Sequence, residues 1–498
     1  MANTRMLKLL LCLGLAGGVM ACSDDNDPLD FKPQEPEKPH GVTEVSYCAT
    51  DFANYSLSTY YLWNEEIAKD MGRLDPDTTK HPIQVVEEIR YKDEKGEDID
   101  RWTMLHPNML SVIDQGNTTT FGFGLALGKF SNTGKYFFII NYVCAGSPAE
   151  KAGLKRGDVI LTMDGKDITK SNYSTVFEGG TINFGLGELR EDGMIHKTQE
   201  IDLTAIEMYE NPIMFTKTFD CGGKKVGYLW FNEFQAKTNE QLIEIVKDFK
   251  REGISELILD MRYNGGGDVS TEFILASMFA PESYVNSGGI YQQEVYNKKQ
   301  GGVQQVPFYT ELQYAYYNNG QQVVKTASTF GANLGLTKIY ALISPNTASA
   351  SESIIVGLLA FDEIEVEIIG TQSHGKFCTG AIMFTTDVYK KVPESIKDWG
   401  IYVMINRFTD KNGNNPCMPR GLVPDVELQD NPLDGYPMGD ERETLLHEAL
   451  VRAGKTDIPT GRSLRGVSFL KNLDALPFNA RFGMRIDDRK MNTLNIQK

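Results

Sequence analysis

"KIYALISPNTASASESIIVGLLAF", residues 338–361, decides how this chain is read. It opens with a short apolar run of strand character and closes with an apolar run of helical length. Between them lies a turn crowded with small residues. One serine ahead of a helix would be an ordinary N-cap. Ser349, Ala350 and Ser351 in succession are more than a cap needs. A serine at a strand-to-helix turn can present its hydroxyl outward. The next N–H, on Ala350, then points from the helix N-terminus, where orphan donors and the dipole favour an oxyanion. Ser349 is therefore the candidate nucleophile, Ala350 a candidate oxyanion donor, and Ser351 a structural cap.

Working outward, "SELILDMRYNGGGDVSTEFILASMF" (255–279) repeats the strand–loop–helix layout. Two such crossings in one open sheet bring their loops together at the carboxyl ends of the strands. The glycine triplet 265–267 suits a second oxyanion donor, Gly266 by preference and Gly265 beside it. Glycine alone lets a backbone N–H come so close to a reacting carbonyl. Asp260 and Arg262 read as structural supports of that loop. A serine nucleophile needs a base, and "SHGK" (373–376) offers Lys376. An exposed lysine, with a reference pKa of about 10.4, is protonated at neutral pH. Burial disfavours the ammonium, and the apolar strand "IEVEII" (364–369) carries Lys376 toward the core. His374 is the weaker alternative base. Cys378 reads as a small buried residue before a redox one.

From residue 206 strands alternate with helices, which predicts an α/β core. The tyrosine-rich insertion 284–335 reads as a β-rich flap near the site or as a surface hairpin. "HEALV" (447–451) lacks the second histidine of a zinc helix and reads as a plain helix. Residues 42–115 show helical periodicity and predict a small helical N-terminal domain. Within 116–205, "FGFG" (121–124), "KYFFIINYV" (135–143) and "AGSPAEKAGLKRGDVILTMDGKDIT" (145–169) give strands, a short helix between Pro148 and Gly153, and a tight Asp-Gly turn. This stretch resembles a PDZ domain of the bacterial protease type. The resemblance implies that Phe121, Gly122, Phe123 and Gly124 form the loop whose N–H groups hold a peptide's C-terminal carboxylate while the peptide adds as a strand.

Composition narrows the function classes. The chain has 498 residues, 41% hydrophobic and 23% charged, as expected of a multidomain globular protein. A net charge of −17 disfavours a nucleic-acid partner. Residues 1–21 hold Arg5, Lys8 and an apolar run, a signal peptide too short to span a membrane stably. The ending Val19-Met20-Ala21-Cys22 resembles a bacterial lipobox, which implies lipidation of Cys22 and a membrane partner through that anchor. The acidic residues that follow resemble the surface-export signal of Bacteroidetes lipoproteins. Residues 22–41 are rich in proline and charge and read as a tether. Beyond Cys22 five cysteines remain, an odd and scattered set that is no disulfide framework. Residues 456–498 form a basic tail; from Lys455 onward there are nine Lys or Arg against four Asp.

Four features agree in order: the PDZ-like segment, "DMRYNGGG" (260–267), "TASASE" (347–352) followed by "GTQSHGK" (370–376), and "GLVPDVEL" (421–428). In this the chain resembles the C-terminal-processing, or tail-specific, serine peptidases. The resemblance implies a crotonase-like (ClpP/crotonase-type) α/β core over 206–455. It also implies a Ser349–Lys376 dyad, oxyanion donors at Ala350 and Gly266, and protein or peptide substrates, with no metal or cofactor. The chain departs from the family pattern in three ways. Gly380 stands where some members have a lysine-orienting glutamine, His374 precedes the base loop in place of an aromatic residue, and the Ser349–Lys376 spacing is long. These departures keep a second reading open, a surface lipoprotein that binds peptides without cutting them. The oligomeric state is not legible.

Overall fold

The strands Glu256–Asp260 and Lys338–Ile343 are parallel neighbours, with Asp260 opposite Leu342. Their following loops therefore leave the sheet side by side, as the repeated layout predicts. The structure is a computed structural model that describes residues 41–130, 135–190, 194–459 and 484–487. The expected signal peptide, Cys22, the tether and most of the basic tail lie outside the described residues.

The first sheet runs in the order Ile213–Cys221, Lys224–Phe231, Glu256–Asp260, Lys338–Ile343, Glu365–Gly370, Val426–Glu427. It is parallel from the second strand onward. Such strands are covered on both faces and read as near-continuous apolar runs; Glu256–Asp260 is buried at every position. The second sheet is built around Cys378–Phe384, Gly400–Asp410 and Ile290–Tyr296. Two helices, Val269–Phe279 and Ala350–Leu358, are buried at every position. A helix apolar all round belongs inside a core, and these two lie between the sheets. Gly357 makes the fit possible, since a side chain there would meet the Tyr291 ring of the second sheet at 2.4 Å.

The N-terminal segment is helical, as expected, in Glu44–Tyr60 and Pro82–Glu88. It has no core of its own. Phe52, Leu57, Tyr61 and Leu105 join the same apolar cluster as Phe273, Ile354 and Met404. Its strand Met104–His106 pairs with Gly400–Asp410. Periodicity reveals that a helix has a buried face, not what covers it. The 284–335 insertion is β-rich and divided: Glu311–Asn318 and Gln321–Ser328 form a separate hairpin whose second strand is mostly exposed, while its first strands join the core. Ile290–Tyr296 and Val303–Pro307 extend the second sheet, and Tyr291, Tyr296, Tyr314 and Tyr316 are buried in the main core.

The PDZ-like segment has a separate core around Phe121, Phe138, Ile160 and Phe184. Its five-stranded backbone runs Phe123–Lys129, Tyr136–Val143, Val159–Met163, Thr181–Leu189, Ile195–Thr204. Phe123–Lys129, which follows the "FGFG" loop, is the edge strand. Thr118–Thr120 and Ile206–Met208 pair and close the segment at its two ends.

Candidate active site

Ser349 caps the Ala350–Leu358 helix with φ of 66°. Few residues with a side chain adopt this region, and such outliers gather at functional sites. The residue is fully buried, and its hydroxyl makes no hydrogen bond. Ser349 and Glu352 stand in capping-box positions, but Ser349 lacks the extended backbone of an ordinary N-cap. Glu352 supplies the other half of the capping arrangement, its carboxylate accepting from the Ser349 N–H at 2.8 Å. Ser351 is structural, as expected, but as a tie between loops. Its hydroxyl donates to the Asn264 carbonyl at 3.0 Å.

The glycine loop is fastened to the nucleophile turn at several points. Ala348 N–H donates to the Asn264 carbonyl at 3.1 Å. The Thr347 hydroxyl donates to the Met261 carbonyl at 2.8 Å. Gly266, with φ of 101°, lies against Ser349, and a side chain there would meet Ser349 Cβ at 2.7 Å. Its N–H donates to Asn264 Oδ1 at 2.9 Å, so this candidate oxyanion donor has a partner here. Gly265 lines a cleft shared with Tyr142 and Cys144 of the PDZ-like segment and with Asn232 and Glu233 of the core.

Lys376 is fully buried. Its amine donates to the Tyr402 hydroxyl at 2.8 Å and sits over the rings of Trp102 and Tyr402, at 5.1 and 4.9 Å. Gly380 explains how Tyr402 gets there, because a side chain at 380 would meet the Tyr402 ring at 2.2 Å. The glycine found in place of an orienting glutamine thus clears the space for a different orienting group.

Glu352 is the residue the sequence reading passed over. Its carboxylate accepts from Ser349 N–H, from Gly375 N–H at 2.7 Å, from Lys376 N–H at 2.8 Å and from the Ser373 hydroxyl at 2.5 Å. Burial raises its pKa, and these four bonds oppose the rise. The Ser-x-x-Glu spacing of a capping box was its signal, although its partners beyond the helix were not legible. His374 does not fit the role of base. Burial, then the charges of Arg101 and Lys376, push it down to about 4, so it is neutral and weakly basic at neutral pH.

Asp260 and Arg262 are structural, as expected, and belong to a larger buried network. Arg262 binds Asp260 at 2.7 Å and Glu443 at 2.6 Å. Arg156, from the PDZ-like segment, binds Asp430 at 2.7 Å and donates to the Tyr263 hydroxyl at 2.6 Å. Burial pushes Asp430 up, but Arg156 and Arg262 outweigh it and hold it at about 2.

In the peptide-binding loop, Phe121 is buried against Phe184 at 5.3 Å and stacks on Phe123 at 5.7 Å. Gly122 has φ of 78°, and its N–H donates to Thr120 Oγ1 at 2.9 Å. Gly124, the second residue of the edge strand, lies opposite Tyr142, whose ring occupies the space a side chain would need. Cys48, Cys144, Cys221, Cys378 and Cys417 are buried, and no disulfide joins them. Cys378 donates to Met404 Sδ at 3.3 Å, a packing role.

Known proteins place this arrangement. Residues 225–428 match the model of peptidase family S41, and residues 139–178 match a PDZ domain. The S41 match takes in less than half of the chain and lies behind the segment that matches a PDZ domain. The S41 family is one of peptidases, which are hydrolases. Among curated relatives, the chain is 22% identical over 311 residues to a carboxyl-terminal-processing protease of Picosynechococcus, covering 61% of this chain and 64% of that one. It is 27% identical over 176 residues to the chloroplastic C-terminal processing peptidase of Tetradesmus obliquus, covering 33% and 38%. The chain thus spans less than two thirds of the length of either relative. A solved Bacteroides fragilis structure assigned to the S41 proteases aligns with a TM-score of 0.63 at 24% identity, over 82% of this chain and 98% of that one. That likeness carries the fold, a ClpP/crotonase-like core with a PDZ domain.

Proposed function

We propose that the chain is a serine endopeptidase of the C-terminal-processing type, acting on proteins or peptides through Ser349 and Lys376. Ser349 Oγ attacks the peptide carbonyl, and Lys376 takes the hydroxyl proton and returns it to the leaving amine. Water then hydrolyses the acyl-enzyme. The Ala350 N–H, at the first position of a buried helix, faces the developing oxyanion, with the second donor from Gly265 or Gly266. No step needs a metal or cofactor. The edge strand Phe123–Lys129 accepts the substrate C-terminus by strand addition behind the Phe121–Gly124 loop. The cleft at Gly265 opens between the PDZ-like segment and the core.

One observation carries this reading. A buried serine with an unengaged hydroxyl sits on a strained helix cap, and a single carboxylate ties that cap to the loop of a buried lysine. A second reading, a peptide-binding module without catalysis, draws on the Ser349 hydroxyl making no hydrogen bond to the Lys376 amine. Catalytic bonds often tighten only with substrate bound. Hydrolysis of casein decides between them. Wild type cuts under the first reading, while folded Ser349→Ala and Lys376→Ala do not. If folded wild type cuts neither casein nor peptides that bind its PDZ domain, the binding reading stands.

The place of action is part of the proposal: an outer-membrane lipoprotein, periplasmic or surface-exposed, anchored by lipid on Cys22. Metabolic labelling with a fatty-acid analogue tests it. Label lost in Cys22→Ser supports the anchor, and label equal in both variants removes it.

A further inference from the structure

The last described residues, Met484–Asp487, lie within the site. Their strand Arg485–Ile486 runs parallel to Gly267–Asp268 of the glycine loop, with Gly267 opposite Arg485 and Asp268 opposite Ile486. On its other side it runs parallel to Cys378–Phe384, with Ile486 opposite Gly380. That second strand begins two positions after Lys376. The Asp487 N–H donates to the Gly380 carbonyl at 3.0 Å. Met484, Ile486 and Asp487 are buried. The Met484 carbonyl oxygen and Ser349 Cβ converge on one point, since a side chain built on Gly266 would meet them at 2.8 and 2.7 Å. The far edges of the flanking segments are already paired, Gly267 with Phe234 and Cys378–Phe384 with Gly400–Asp410. Without the tail, a gap one strand wide would remain between the glycine loop and the base strand, lined by unpaired backbone groups.

We propose that this gap is the subsite in which a substrate strand lies across Ser349, and that the chain's own residues 484–487 fill it as a tethered occupant that substrate must displace. The proposal rests on the peptidase reading above. The ligand class follows from the slot. It takes an extended peptide that pairs its main chain on both edges and buries apolar side chains at alternate positions, as Met484 and Ile486 do. The Ser349 hydroxyl makes no hydrogen bond, so the tail is seated beside the nucleophile without being engaged by it. A tethered segment competes at an effective concentration on the order of millimolar. A modest strand contact is then enough to keep the slot filled.

The test uses the full chain and two tail variants. Ile486→Asp places a carboxylate where the side chain is fully buried, which expels the strand. Asp487→Pro independently removes the N–H that binds Gly380. Binding is read as fluorescence anisotropy of a labelled peptide of residues 480–490, in the Ser349→Ala background. The peptide is expected to bind each tail variant about tenfold more tightly than the intact tail, while a scrambled peptide binds neither. In the Ser349 background, casein kcat/KM is expected to rise about fivefold or more in whichever tail variants are folded by circular dichroism. Equal peptide binding with and without the tail changes, or no binding at all, overturns the proposal. So do wild-type casein rates in both folded variants. If peptide binding separates the forms but nothing cuts casein, the peptidase reading falls and the slot stands. If every form cuts casein equally and binding does not separate them, the slot falls and the peptidase reading stands.

Discussion

Glu352 holds the nucleophile turn and the base loop against each other, and it does so with one side chain. Glu352→Gln keeps the shape but faces three backbone N–H groups with an amide that has one acceptor oxygen. Leaving buried donors without partners costs on the order of 1–3 kcal/mol each. We expect a stability loss of about 2–4 kcal/mol in urea titrations and a fall in kcat that exceeds any rise in KM. Tyr402→Phe removes the oxygen that receives the Lys376 amine. Its expected signature is a kcat lowered roughly 10- to 100-fold with KM unchanged, since a positioning contact acts in the chemical step. Gly380→Ala should reproduce it by pushing the Tyr402 ring away. His374 carries a pH signature. Its folded pKa of about 4 lies below the ordinary 6.5, so the unfolded chain binds the extra proton between those values. Stability is therefore highest above pH 6.5 and falls as pH drops toward 4, by about 3 kcal/mol. Melting curves of His374→Gln should be flatter than wild type across that window. At this scale Ser349 and Lys376 were legible because each sits in a local pattern. Tyr402 was not, because its meeting with Lys376 depends on a glycine four residues beyond the base.

The elements around the site are locked by ions that a linear reading cannot pair. Asp260 and Arg262 announced a support for the glycine loop. Glu443, which caps the Thr444–Arg452 helix, and Asp430 lie far along the chain and carry no spacing signal. Their partner Arg156 arrives from the PDZ segment. Removing one member of a buried ion network strands the rest. Arg262→Met is expected to destabilise the S41 domain by about 3–5 kcal/mol, measured by chemical unfolding. Arg156→Met should act differently, because it bridges two bodies with separate cores. The S41 core should keep its melting point, while the PDZ segment becomes sensitive to limited proteolysis and kcat/KM falls for long unfolded substrates more than for short peptides. Equal losses on both substrate lengths would remove the bridge from the substrate path. The strand–loop–helix repeats themselves were readable, since a parallel strand buried on both faces leaves a continuous apolar run in the sequence.

Across the whole molecule the PDZ-like segment has a core of its own, and the N-terminal helices share the main one. Phe52, Leu57, Tyr61 and Leu105 belong to the main core, so a chain beginning at residue 116 is expected not to fold. Circular dichroism and solubility of that shortened chain check it; a cooperative melt would show the helices to be dispensable. The tail strand was equally hidden, since four residues with no strand-like run cannot announce a slot elsewhere. The pairing of Met104–His106 with Gly400–Asp410 bears also on how the protein is made. Met404 N–H meets the Thr103 hydroxyl across 301 residues of chain. A polypeptide synthesised from its N-terminus must therefore hold its first helices in waiting until the strand near residue 400 appears. Ser349 and Lys376 emerge before that strand does. The edge that joins the first helices to the core is thus completed only once the chain has passed residue 400.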